Sequence, residues 1–141
     1  MTAKRLKVQV HLHRTDPDTG RELFLVLRRP PDRGGIWQSV TGKVEPGEDL
    51  TVCAVREVWE ETGIAQVDDC RPVYEYDFVR EGRVNHETVF VARVSGAEVR
   101  LSGEHTEARW LPYDEARALI HYDGIKAGLD HAWESLRSEQ Q

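Results

Sequence analysis

The stretch from Gly42 to Ile64 places glycines and charges at spacings that few local structures satisfy. Five residues separate Gly42 from Glu48, and seven more lead to Arg56-Glu57-Val58-Trp59-Glu60-Glu61-Thr62-Gly63-Ile64. Pro46-Gly47 signals a turn, and Glu48-Asp49 put negative charge where the positive end of a helix begins. From about Asp49 to Thr62 the residues suit a helix, and Gly63 stands where one would stop. On that helix Glu57, Glu60 and Glu61 fall at i, i+3 and i+4 and share one face, while Leu50, Ala54 and Val58 form an apolar stripe that packs on a core.

Three carboxylates on one face repel one another unless a cation neutralises them. A solvated helix with Arg–Glu pairing would account for a lone E-x-x-E-E, since glutamate favours helices and charge runs commonly face water. It leaves Gly42, Gly47, Glu48 and Arg56 without a reason. A loop with two glycines lets backbone approach a ligand closely. Hard oxygen donors suit Mg²⁺ or Mn²⁺, and Mg²⁺ takes one or two carboxylates together with substrate phosphates. The pattern predicts a divalent-metal site on a loop and helix.

The same residues match the Nudix box, G-x5-E-x7-R-E-U-x-E-E-x-G-U with U a large aliphatic, at every position, and the chain resembles the Nudix hydrolases. The resemblance runs from the first strand to the last helix. It implies one domain over residues 1–141, an α/β/α sandwich around a mixed sheet with the loop-helix of the box, and metal-dependent cleavage of a phosphoanhydride by water. By position, Glu57 and Glu61 become the principal metal ligands. Glu60 becomes a third ligand or a base that orients water, the Gly42 carbonyl completes the coordination, and Arg56 pairs with Glu48 to fix the glutamate rotamers. A carboxylate from a later loop joins them in this family; Glu104 is favoured over Glu107.

Two branches compete for the substrate. Trp37-Gln38-Ser39-Val40-Thr41-Gly42 and Asn85-His86-Glu87-Thr88-Val89-Phe90 are similar to dihydroneopterin triphosphate pyrophosphatases, which also take dATP. That likeness puts Arg28, Thr41, His105 and Tyr122 at substrate-contacting positions. Val99-Arg100-Leu101-Ser102-Gly103-Glu104-His105 and Arg109-Trp110-Leu111 are similar to diadenosine tetraphosphate hydrolases, the second choice. From the residues alone, Trp37 is the first candidate to stack on a ring. Tyr74, Tyr76 and Phe78 share one strand face and read as core rather than pocket. A catalytically silent sensor domain would bind ligand without turnover, but the box is intact.

The remainder of the chain is consistent with this. Alternation gives a strand over Lys4–His13 with Leu6, Val8, Val10 and Leu12 inward, and His11 and His13 partly exposed. Further strands follow at Glu22–Arg28 and Ala108–Leu111, a hairpin at 72–94 turns on Glu81-Gly82, and helices open at Pro112 and Gly124. A charged fraction of 31%, a hydrophobic fraction of 39% and a net charge of −6 describe a globular chain without the basic stripe of a nucleic-acid binder. Cys53 and Cys70 form no disulfide framework, and Cys53 reads as a packing residue. No run of apolar residues approaches a membrane span, so the expected setting is cytoplasmic. The expected partner is a small phosphoanhydride substrate, with neither nucleic acid nor membrane, and a homodimer is compatible with the sequence.

Overall fold

The computed structural model describes residues 3–139. Strands β1 (Arg5–Thr15), β2 (Glu22–Arg28), β3 (Trp37–Gln38) and β4 (Val40–Lys43) precede helix α1 (Leu50–Thr62). Strands β5 (Asp68–Arg80), β6 (Arg83–Arg93) and β7 (Glu107–Pro112) follow, then helices α2 (Tyr113–Leu119) and α3 (Asp123–Glu139).

The long first strand organises the sheet. One edge of β1 runs parallel to β6 from Arg5↔Asn85 to His13↔Arg93. Its other edge is shared between two antiparallel partners: β4 covers Lys7 to Val10, and β2 covers His13 to Thr15. With β3 and β7 on β2 and β5 on β6, the result is a mixed sheet of seven strands. Glu81 and Gly82 turn the β5–β6 hairpin with φ of 53° and 72°, the left-handed pair that a two-residue turn requires.

Helix α1 begins as its sequence dictates. The Asp49 carboxylate accepts from the backbone N–H of Thr51 and Val52 at 2.9 and 3.1 Å, so Asp49 is the cap rather than the first helical residue. Gly63 ends the helix at φ 73°, its N–H donating to Trp59 O at 2.9 Å. Val8, Val10, Leu12, Cys53, Ala54 and Val58 are buried together between the sheet and α1.

The opposite face of β1 departs from expectation. His11 and His13 are 1% and 3% exposed, not surface residues, because α3 lies over them. Its Ile125, Leu129, Ala132 and Leu136 pack on Phe24, Val26 and Val91, giving the sheet a second core. Alternation identified one buried face; the polar residues of the other are buried as well, and Gly128 makes room for them. A Cβ there would stand 1.8 Å from Gln9 Oε1 and 3.2 Å from His11 Nε2. Leu6, by contrast, is 46% exposed near the strand's start. No helix among the described residues is long and apolar enough to cross a membrane.

Candidate active site

The box residues assemble where β4 meets α1. Gly42 lies directly beneath Glu57: a Cβ at Gly42 would come within 2.1 Å of Glu57 Cδ, so the absent side chain is what seats that carboxylate. Arg56 forms two parallel bonds to Glu48, at 2.8 and 2.9 Å, and a further one to Lys43 O at 3.1 Å. Its remaining nitrogen donates to Glu57 at 2.9 Å and to Glu60 at 3.2 Å. This network holds Glu48 down at about 2, chiefly through Arg56 and then through the Glu45 N–H, and raises the guanidinium further. Cys53 sits behind it, where burial pushes the thiol up to about 12, consistent with packing and not with nucleophilic chemistry.

One arginine therefore answers three carboxylates, and Glu61 is not among them. The helix turns Glu61 inward, 2% exposed, while Glu60 faces outward. The three glutamates that share a face in sequence thus occupy three environments. Burial first, and then Glu57 and Glu104, push Glu61 up to about 10. Its Oε2 is buried with no hydrogen-bond partner. Glu104 and the buried His105 bring ligand atoms into mutual range with it, all within 4.8 Å. His105 Nε2 is 3.9 Å from Glu61 Oε1, the geometry of an ion pair, yet burial and Arg29 lower the imidazole to about 4, so both groups are neutral without a cation.

An orphaned buried carboxylate oxygen on a residue gathered with a second carboxylate and a neutral imidazole fits a divalent ion. Glu61, Glu104 and His105 are the residues brought together, with Glu57 adjoining Glu61. Glu60 and Glu48 are held by Arg56 on the outer side. Glu107 is engaged elsewhere, with Arg109 at 2.8 Å and Arg28 at 3.7 Å.

Beside this cluster, on the α3 side of the sheet, opens a cavity of about 400 Å³. Thr41, Gln38 and Arg29 line the end nearest the cluster, and Gln38 Nε2 lies 3.4 Å from His105 Nε2. Tyr76, Phe78 and Tyr122 supply aromatic walls, with the Arg80 guanidinium 4.6 Å from the Tyr122 ring. Of the expected substrate residues, Thr41 and Tyr122 line the cavity and His105 adjoins it. Arg28 does not; its Nε is bound to Gly35 O at 3.0 Å. Trp37 is also outside the lining, its ring approached by Arg109 at 4.9 Å and Arg28 at 6.0 Å. The stripe read as core supplies pocket wall instead: Tyr76 and Phe78 face the cavity, and Tyr74 stacks on His131 at 3.9 Å. Sequence reasoning gave Lys7 no role and quoted Glu87 only within the segment 85–90, although a charge interrupting the apolar run of β6 was a visible signal.

The NUDIX domain profile matches residues 5–130. The chain belongs to the Nudix family. The asymmetrical bis(5'-nucleosyl)-tetraphosphatase of Rattus norvegicus is 36% identical over 110 residues, spanning 72% of this chain and 73% of that one. Dihydroneopterin triphosphate diphosphatase of Escherichia coli is 34% identical over 116 residues, spanning 72% and 75%. The solved dihydroneopterin triphosphate pyrophosphohydrolase of Escherichia coli superposes on this Nudix chain with a TM-score of 0.70 at 25% identity, covering 92% of one and 96% of the other. An Ap4A hydrolase of C. elegans superposes at 0.80, and at 23% identity supports the shared fold. The chain spans 31% of a similar octanoyltransferase of Myxococcus xanthus and 35% of the NAD-capped RNA hydrolase NudC of Chromobacterium violaceum.

Proposed function

We propose that this Nudix protein hydrolyses a phosphoanhydride bond of a triphosphate on a ring-bearing molecule, releasing pyrophosphate and the monophosphate. The observation that carries this reading is continuity. The aromatic cavity runs to Thr41 and Gln38, and Gln38 touches His105 beside the unpartnered Glu61 oxygen. A ring held among Tyr76, Phe78 and Tyr122 sends its phosphates toward Arg29, Thr41 and the acidic cluster.

Glu57, Glu61 and Glu104 would hold Mg²⁺ or Mn²⁺, with His105 and the Gly42 carbonyl at its margin. A bound ion would supply charge neutralisation on the bridging phosphates and a more acidic water. The protein's own part is positional. Arg56 locks Glu57 and Glu60 and keeps Glu48 ionised, Gly42 gives Glu57 its seat, and Arg29 offers charge to the phosphate chain. Attack by water on phosphorus needs no side-chain nucleophile, in keeping with the packed Cys53.

A dinucleoside tetraphosphate is the second reading, favoured by the 36% identity to the rat tetraphosphatase. The deciding experiment incubates purified protein and Mg²⁺ with dNTPs, dihydroneopterin triphosphate and diadenosine tetraphosphate, and identifies products. Pyrophosphate with a monophosphate supports the first reading. Faster production of ATP and AMP from the dinucleotide replaces it with the second, and silence on every substrate rejects both.

A further inference from the structure

The floor of the cavity is a row of polar side chains drawn from four strands. Register sets Thr41 beside Gln9, Glu87 beside Lys7, and Tyr76 beside Glu87, all on the face that α3 covers. Gln9 Nε2 donates to Glu87 Oε2 at 2.7 Å, and the Tyr76 hydroxyl donates to the same oxygen at 2.6 Å. The Glu87 carboxylate only accepts, so the Gln9 amide turns its NH₂ toward it and presents Oε1 to His11 Nε2 at 2.6 Å. Gly124 and Gly128 permit this arrangement: a Cβ on Gly124 would lie 2.6 Å from the Tyr76 hydroxyl, and one on Gly128 1.8 Å from Gln9 Oε1.

Glu87 is 3% exposed, and only one of its oxygens is used by the protein. Oε1 makes no hydrogen bond among the described residues, and its ionic neighbour is Lys7 Nζ at 4.0 Å. A rigid network thus presents one acceptor oxygen beside one ammonium donor at the floor of an aromatic-walled cavity. That oxygen faces the open cavity, so a ring that displaces solvent from it must supply N–H donors in return, because covering it unpaired would be costly.

We infer that Glu87 and Lys7 read the edge of the substrate's ring, and that this edge is the amine, ring N–H and carbonyl sequence shared by guanine and pterins. Glu87 Oε1 accepts from the ring N–H and the exocyclic amine, and Lys7 donates to the carbonyl. Adenine offers a ring-nitrogen lone pair where Glu87 needs a proton and an amine where Lys7 needs an acceptor. The assignment rests on the cavity being the substrate site proposed above, and it names the ring that site selects.

The test uses the full chain with Mg²⁺ and compares kcat/KM for dGTP, dATP and dihydroneopterin triphosphate. In parallel, calorimetry without metal measures Kd for dGMP and dAMP. The expected result is a preference of about 10- to 100-fold for dGTP over dATP, with dGMP binding ahead of dAMP. Dihydroneopterin triphosphate well ahead of dGTP makes a pterin the source of the edge, and the reverse makes it a guanine nucleotide; both support the assignment. Glu87→Gln keeps an acceptor for Gln9 and Tyr76 but turns an NH₂ into the cavity, so the guanine preference should collapse or invert while the melting temperature holds. Lys7→Met should weaken the preference without disturbing those bonds. Equal handling of dGTP and dATP, or a Glu87→Gln ratio unchanged from the parent, overturns the inference. Hydrolysis of none of the triphosphates, with dGMP still binding ahead of dAMP, rejects the proposed reaction and upholds the ring assignment.

Discussion

At the scale of single residues, the site depends on what is missing at Gly42 as much as on what Glu61 provides. The three atoms nearest a methyl at Gly42 all belong to the Glu57 side chain, so the methyl displaces that carboxylate from its seat and from Arg56. Gly42→Ala should therefore leave the melting temperature nearly unchanged while lowering kcat by about 10- to 100-fold, because a displaced ligand costs alignment more than stability. A folded variant with full turnover would remove the seating role. Glu61→Gln keeps the shape of the buried side chain and discards its charge. It should abolish most turnover and weaken Mg²⁺ or Mn²⁺ binding in a calorimetric titration; unchanged turnover and metal affinity would reject the assignment. The box residues were legible because their spacing is chemical. Which glutamate is buried was not, since a helical wheel gives Glu57, Glu60 and Glu61 similar standing, and only the sheet and the Glu104 loop distinguish them.

At the scale of elements, α1 was legible nearly to the residue because its ends are written in side chains. Asp49 caps two backbone N–H groups and Gly63 adopts the left-handed stop. Asp49→Ala should cost about 1 kcal/mol, read as a lower urea midpoint with an unchanged slope. Because α1 carries Arg56, Glu57 and Glu61, the same variant should also weaken metal binding; no loss of stability would mean the cap is replaced by water. Strand β1 shows where pattern reading stops. Its alternation located Val8, Val10 and Leu12 correctly, but an alternating strand looks the same whether its polar face meets water or a helix. Gln9, His11 and His13 are buried because α3 arrives from more than a hundred residues away, with glycines at the points of closest approach. For the same reason, the aromatics of β5 gave no sign of which would wall a cavity.

At the scale of the whole molecule, burying polar groups on both sides of the sheet makes stability depend on pH in two opposing directions. Burial lowers His11 to about 3 from the ordinary 6.5, and it also lowers His13 and His105. Below pH 6.5 the unfolded chain takes up protons that the folded chain refuses, so stability is full above that value and is lost as pH falls. Each histidine contributes a slope of up to ~1.4 kcal/mol per pH unit. Glu61 acts in the other sense. Its raised folded value means that, without metal, the folded chain keeps a proton that the unfolded chain releases above 4.5. That contribution is full below 4.5 and is lost as pH rises toward about 10. Between pH 5 and 6.5 His11 and His105, held at about 3 and about 4, outweigh the one glutamate, and from 6.5 to 8 the glutamate dominates as the histidine contribution fades. Urea midpoints in EDTA should therefore rise from pH 5 to about 6.5 and decline toward pH 8. Glu61→Gln should flatten the decline and leave the rise intact, because an amide holds the neutral form at every pH. A saturating divalent ion should cancel the decline in the parent protein by binding the ionised carboxylate. A midpoint that climbs steadily to pH 8 in EDTA would show that Glu61 ionises freely where it is buried, and would remove the electrostatic reason for placing a cation beside it.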